Sequence, residues 1–127
     1  MFTVVDTTTG RLLGQRIGLA DGFVSRLVGL LGRPSLGEGE GLWITPCDSI
    51  HTFFMRFPID VVFVNKDGVV LRRLDAIPAW RATRIHSKAT ACLELPAGVL
   101  EAAGVMPGHR LEMRPSAAGA DSGTPSV

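Results

Sequence analysis

Ile59-Asp60-Val61-Val62-Phe63-Val64-Asn65-Lys66-Asp67-Gly68-Val69-Val70-Leu71-Arg72-Arg73-Leu74 decides the fold. Two β-branched runs flank Asn65-Lys66-Asp67-Gly68, a tight hairpin turn in which Gly68 can take a positive φ. The reading is a strand from Ile59 to Asn65 and its antiparallel partner from Val69 to Leu74. Val61-Val62-Phe63-Val64 is apolar at every position rather than at every second one. A strand of that kind is covered on both faces, by a helix or by the far wall of a barrel.

Working outward, the same punctuation recurs. Leu42-Trp43-Ile44-Thr45 reads as a strand broken by Pro46, and Ile50 to Phe57 as another ended by Pro58. Phe2-Thr3-Val4-Val5 and Arg11 to Ile17 read as strands paired about the turn Thr7-Thr8-Thr9-Gly10. Residues 75–88 read as irregular. Thr90 to Leu95 and His109 to Met113 complete the strands. Asp21 has the chemistry of an N-cap, and Phe23, Leu27, Leu30 and Leu31 fall on one helical face, so a short amphipathic helix is expected over 22–31, ended by Gly32 and Pro34. Pro96 suits the first position of a second helix, with Val99, Leu100 and Ala103 as its face and Gly104 as its cap. The expectation is one α+β domain over residues 1–114: a mostly antiparallel, strongly curved sheet or partial β-barrel with two short helices. From Pro115 to Val127 the chain is small and polar, and a disordered tail is expected.

Composition excludes several functions. The chain has 127 residues, room for one core, and a net charge of +1. That balance offers no field for nucleic acid or an anionic membrane. No apolar run reaches the ~18 residues of a membrane helix. The start, Met1-Phe2-Thr3-Val4-Val5-Asp6, lacks the basic and apolar regions of a signal peptide, so a cytoplasmic, monomeric protein is expected. The glycines of Ser35 to Gly41 alternate with Glu38 and Glu40, which would repel a phosphate.

The run Cys47-Asp48-Ser49-Ile50-His51-Thr52-Phe53-Phe54-Met55-Arg56-Phe57-Pro58-Ile59-Asp60-Val61-Val62-Phe63 resembles an uncharacterised bacterial and archaeal family, domain of unknown function 192. Arg26-Leu27-Val28-Gly29-Leu30-Leu31-Gly32-Arg33 matches its second hallmark. Leu93-Glu94-Leu95-Pro96-Ala97-Gly98 and Gly104-Val105-Met106-Pro107-Gly108 match its C-terminal pattern. The likeness spans residues 10–114. It implies a small, mostly β fold with short helices, and exported relatives that this chain's start does not resemble. The family carries no established activity, so no catalytic residue transfers.

Asp60 is the most informative polar residue, because a carboxylate in so apolar a strand must be paired, hydrogen-bonded or placed at a mouth. Arg26, Arg33 and Arg56 are its candidate partners. The plainer alternative is that Asp60 caps a turn or anchors the helix. His51 shares a face with Ser49, Phe53 and Met55 if 50–57 is a strand. A hydrolase built on Ser49, His51 and Asp60 is conceivable, but no nucleophile elbow is present and no oxyanion donors are identifiable. A strand histidine with an ordinary partner is the plainer reading. Cys47 and Cys92 read as two small buried hydrophobes that could approach across the sheet. His51, His86 and His109 lack zinc spacing, so no metal or cofactor is expected. Arg72, Arg73, Arg81, Arg84 and Lys88 surround Trp80, which could stack a base or a sugar. The plainer reading is a solvated rim with Trp80 folded onto the core. The leading expectation is a non-enzymatic domain binding a small ligand or peptide in a cleft lined by His51, Thr52, Arg56, Asp60, Arg26 and Arg33. A small hydrolase is the alternative, and an interaction module the third reading.

Overall fold

The computed structural model describes residues 1–22, 30, 33–53 and 55–116. Its strands are β1 (Phe2–Asp6), β2 (Arg11–Ala20), β3 (Glu40–Ile44), β4 (Ile59–Val64), β5 (Val70–Ile77), β6 (Ala91–Pro96) and β7 (Leu111–Pro115), and its helix is α1 (Val99–Ala103). The protein is mostly β. The seven strands form one strongly curled half-barrel sheet in the order β5-β4-β6-β3-β2-β1-β7. Every pairing is antiparallel except β2 with β3. The two outer strands meet at one end, where Val69 bridges Arg110 and the Leu111 N–H donates to the Gly68 carbonyl at 2.8 Å. Curling removes exposed edge there, which a short chain must do to keep its strand edges from pairing with others.

The central hairpin forms as its turn chemistry dictates. Asn65 Oδ1 accepts from the Asp67 and Val69 amides at 2.9 and 3.0 Å, and Gly68 has φ 81°. A methyl group at Gly68 would stand 2.5 Å from the Leu111 carbonyl oxygen, so glycine also permits the approach of β7. Every residue of β4 is buried. Val62 and Val64 enter one core with Val4, Ile17, Leu93 and Leu100, on the inner side that α1 plugs. Ile59, Val61 and Phe63 enter a second core with Ile44, Ile50, Met55 and Cys92. An all-apolar strand between two cores needs no period-two alternation.

Several expectations change. Among the described residues of 50–57 none lies in a strand, and His51 alone makes a bridge, to Ala82. The cause is Thr52, which is wholly buried and binds the 78–81 segment with its whole peptide unit and hydroxyl. Pro96 ends β6 rather than starting a helix, and Gly98, with φ 99°, precedes α1 instead. Among the described residues α1 is the one helix, where two were expected; the span 22–31 falls outside the described residues except for Asp21's neighbour Gly22 and the buried Leu30. At the C-terminus β7 includes Pro115, which pairs with Phe2, and Ser116 donates to the Gln15 carbonyl at 2.6 Å. The rest of the expected tail lies outside the described residues.

Candidate functional site

Asp60 occupies the second position of β4 and is wholly buried. Its Oδ1 accepts from the Ala76 amide at 2.7 Å, and its Oδ2 from the Gly98 and Leu100 amides, both at 3.0 Å. Gly98 has no side chain to cap α1, so Asp60 supplies that oxygen from forty residues away in sequence. Ala76 has φ 47°, at a bulge in the β4–β5 ladder, and the same carboxylate holds that strained peptide. Among the described residues the partners of Asp60 are these three backbone donors, and neither Arg33 nor Arg56 pairs with it. Arg33 instead pairs with Glu40 at 2.9 Å. Glu40 is held below its ordinary range first by the Gly37 amide and then by Arg33. Arg56 is exposed, and the expectation for Arg26 lies outside the described residues.

The Ser49, His51 and Asp60 side chains form no hydrogen bond with one another among the described residues. The His51 ring is exposed and stacks on Phe53, centroids 5.1 Å apart. Phe53 in turn lies 6.0 Å from Trp80, forming a row of three exposed rings. Trp80 is 56% exposed, so it does not fold onto the core as the plainer reading had it. Its φ is 66°, a conformation costly for a bulky side chain. Thr52 enforces it: the Thr52 carbonyl accepts from the Trp80 amide at 3.0 Å, and Thr52 Oγ1 accepts from the Arg81 amide at 2.8 Å while donating to the Pro78 carbonyl at 2.6 Å. Thr52 is a clamp behind the surface, not a lining residue.

Beside this row a cleft of about 460 Å³ opens between β5 and residues 82–86. Leu74 and Ile77 floor it, and Arg72, Arg84 and His86 stand around it. Ala82 also lines it, and the bridge to Ala82 puts His51 at its margin. Neither Arg72 nor Arg84 forms an ion pair or a side-chain hydrogen bond among the described residues, whereas Arg73 is consumed by Asp75 and Glu101, each at 2.6 Å. His86 rests its ring 4.4 Å from Phe63. Burial, then the charges of Arg84 and Arg72, push its imidazole below the ordinary value. None of the described residues of the expected lining lines this cleft; His51 is tied to it through its backbone bridge to Ala82. Arg72 and Arg84 were marked by the density of arginine around Trp80 but read as a solvated rim, and the place of His86 beside them had no sequence signal.

A family model described as DUF192, uncharacterized ACR, matches residues 4–113. A UPF0127 protein of Pyrococcus furiosus is 31% identical over 114 residues, covering 86% of this chain and 96% of the relative. A crystal structure of a protein of unknown function from Novosphingobium aromaticivorans has a TM-score of 0.75 at 24% identity, covering 87% of this chain and 82% of that one. A structure from Sinorhizobium meliloti, named as a suggested transcription regulator, has a TM-score of 0.73 at 24% identity, covering 88% and 91%. At that identity the two structures establish a shared fold.

Proposed function

The chain belongs to the DUF192 family, whose members are uncharacterised, and from that premise we propose a non-enzymatic binding domain for a small ligand that joins a carboxylate or phosphate to a flat or apolar body. The observation that carries the proposal is the pair of arginines, Arg72 and Arg84, which line an apolar-floored cleft and form no ion pair or side-chain hydrogen bond among the described residues. Two cations and an imidazole around an apolar cleft suit an anion with an apolar body, since guanidinium binds carboxylate and phosphate through charge-assisted hydrogen bonds. The ring row of His51, Phe53 and Trp80 offers a stacking face at the margin. Thr52 and Asp60 are positioning residues in this reading, holding the loop and the bulge that frame the cleft. The proposal keeps the protein monomeric and cytoplasmic.

Calorimetry with phenyl phosphate, benzoate, inorganic phosphate and benzyl alcohol tests it. The aryl anions are expected to bind more tightly than either phosphate alone or the uncharged alcohol. Arg84→Ala should weaken them about tenfold, the equivalent of one charge-assisted hydrogen bond. Equal binding of the alcohol, or wild-type affinity in Arg84→Ala, would refute the reading.

A further inference from the structure

The cleft is a slot between two unpaired strand edges. β5 stands at one end of the sheet order, and its outer edge is closed only at its start, where the Val70 amide donates to the His109 carbonyl and the Val70 carbonyl accepts from the Gly108 amide, each at 2.8 Å. Among the described residues, no backbone group from Leu71 to Ile77 bonds to any element other than β4. The opposite wall is an edge as well. The Thr52 amide donates to the Arg81 carbonyl at 2.7 Å, the Thr83 amide to the Ile50 carbonyl at 2.9 Å and the His86 amide to the Asp48 carbonyl at 2.8 Å. The first two bonds flank the antiparallel bridge of His51 with Ala82, so the Ala82 amide and carbonyl turn away from His51. Ala82 lines the cleft, and no described residue bonds to its backbone or to that of Arg84. Along β5, Arg72 and Leu74 both line the cleft at the two-residue spacing of one strand face, and no acid lines it. A small anion would engage the arginines and the apolar floor but leave both edges unpaired, whereas an added strand engages all of them.

We infer that the cleft takes an extended acidic segment of another protein, added as a strand between β5 and residues 82–86. The inference rests on the anion-binding reading of this cleft and names its ligand. The carboxylate of a glutamate or aspartate side chain pairs with Arg72 and Arg84, which have no ion pair of their own among the described residues. An apolar side chain two residues along the segment lies on the same strand face and covers Leu74 and Ile77. The backbone of the segment bonds on both sides. One set of alternate amides faces β5 and the other faces Ala82 and Arg84. Charge selects the acidic residue, the floor selects its apolar neighbour, and the two edges select an extended chain over any compact ligand.

The probe is a peptide of threonine and serine, acetylated and amidated at its ends, with one glutamate and one isoleucine two positions apart. Calorimetry with the full chain is expected to show binding that weakens at least tenfold when the glutamate is replaced by glutamine. N-methylation of either set of alternate amides should weaken it as much, because both edges are used. Arg84→Ala should weaken the glutamate peptide about tenfold and leave the glutamine peptide unchanged. Hydrogen exchange should slow at the amides of residues 71–75, 82 and 84 in the peptide complex and not in the complex with phenyl phosphate. Undiminished affinity after methylation of either set, or no binding of the peptide while phenyl phosphate binds in an Arg84-dependent way, would overturn this inference and leave the small-anion reading standing. Failure of both peptide and phenyl phosphate to bind would remove both.

Discussion

Glu94 is the residue least at ease in this protein. It lies on β6, its side chain is buried, and no described residue bonds to its carboxylate. Burial alone pushes its pKa from an ordinary 4.5 to about 7. The native state therefore holds the proton more tightly than the unfolded chain does. Stability falls as pH rises from 4.5 through 7, by roughly 1.4 kcal/mol per unit, or about 3 kcal/mol in all. Glu94→Gln cannot ionise and should lose that slope. Urea unfolding near pH 4.5 and near pH 8 is expected to show the variant gaining on wild type by about 3 kcal/mol at the higher pH. A difference that stays constant between the two conditions would show that the carboxylate is not buried as described. The sequence gives no sign of this strain, because Leu93-Glu94-Leu95 reads as an ordinary alternating strand with its acid facing water. Only the second core, which covers the Cys92 face of β6, closes over that side.

Elements separate by how local their causes are. The hairpin of β4 and β5 was legible in sequence because Asn65 and Gly68 satisfy its turn within five residues. The segment 50–57 was not, because Thr52 spends its hydrogen bonds on residues 78–81, and that long-range claim overrides a strand-like pattern. The candidate site divides in the same way. Its arginine-rich segment was visible, but which guanidinium groups remain available depends on Glu101, twenty-eight residues from Arg73. Asp60 stands out in the sequence, while its three backbone donors carry no side-chain signal at all. Those donors join three elements, β4, the β5 bulge and α1, and Asp60→Asn replaces one accepting oxygen by a donor that faces an amide. It should cost roughly 2–4 kcal/mol in denaturant unfolding, because hydrogen bonds to a buried charge are lost and an amide is left unsatisfied. Hydrogen exchange should quicken at Ala76, Gly98 and Leu100 together. Unchanged stability and protection would show that the carboxylate does not hold these elements.

The whole molecule is a curled sheet with a core on each face, and that plan leaves the cleft where it is. The inner core is filled by side chains from the strands and α1. The second core is roofed by irregular chain, residues 50–57 and 78–89, and the cleft lies where that roof meets β5. Among the described residues no helix is long and apolar enough to cross a membrane. Ordered cores hold the roof in place through Phe63, which is wholly buried, pairs with Cys92 in the ladder and touches the His86 ring. His86 thus reports on the cleft from a fixed position, and its charge state senses whatever sits between Arg72 and Arg84. An anion bound there offsets the two positive charges that depress the imidazole. The decisive measurement is the NMR titration of His86, free and saturated with phenyl phosphate. The account predicts a midpoint below the ordinary histidine value in the free protein that moves upward when the ligand is bound. The same titration curve with and without ligand, at concentrations where calorimetry shows binding, would contradict it.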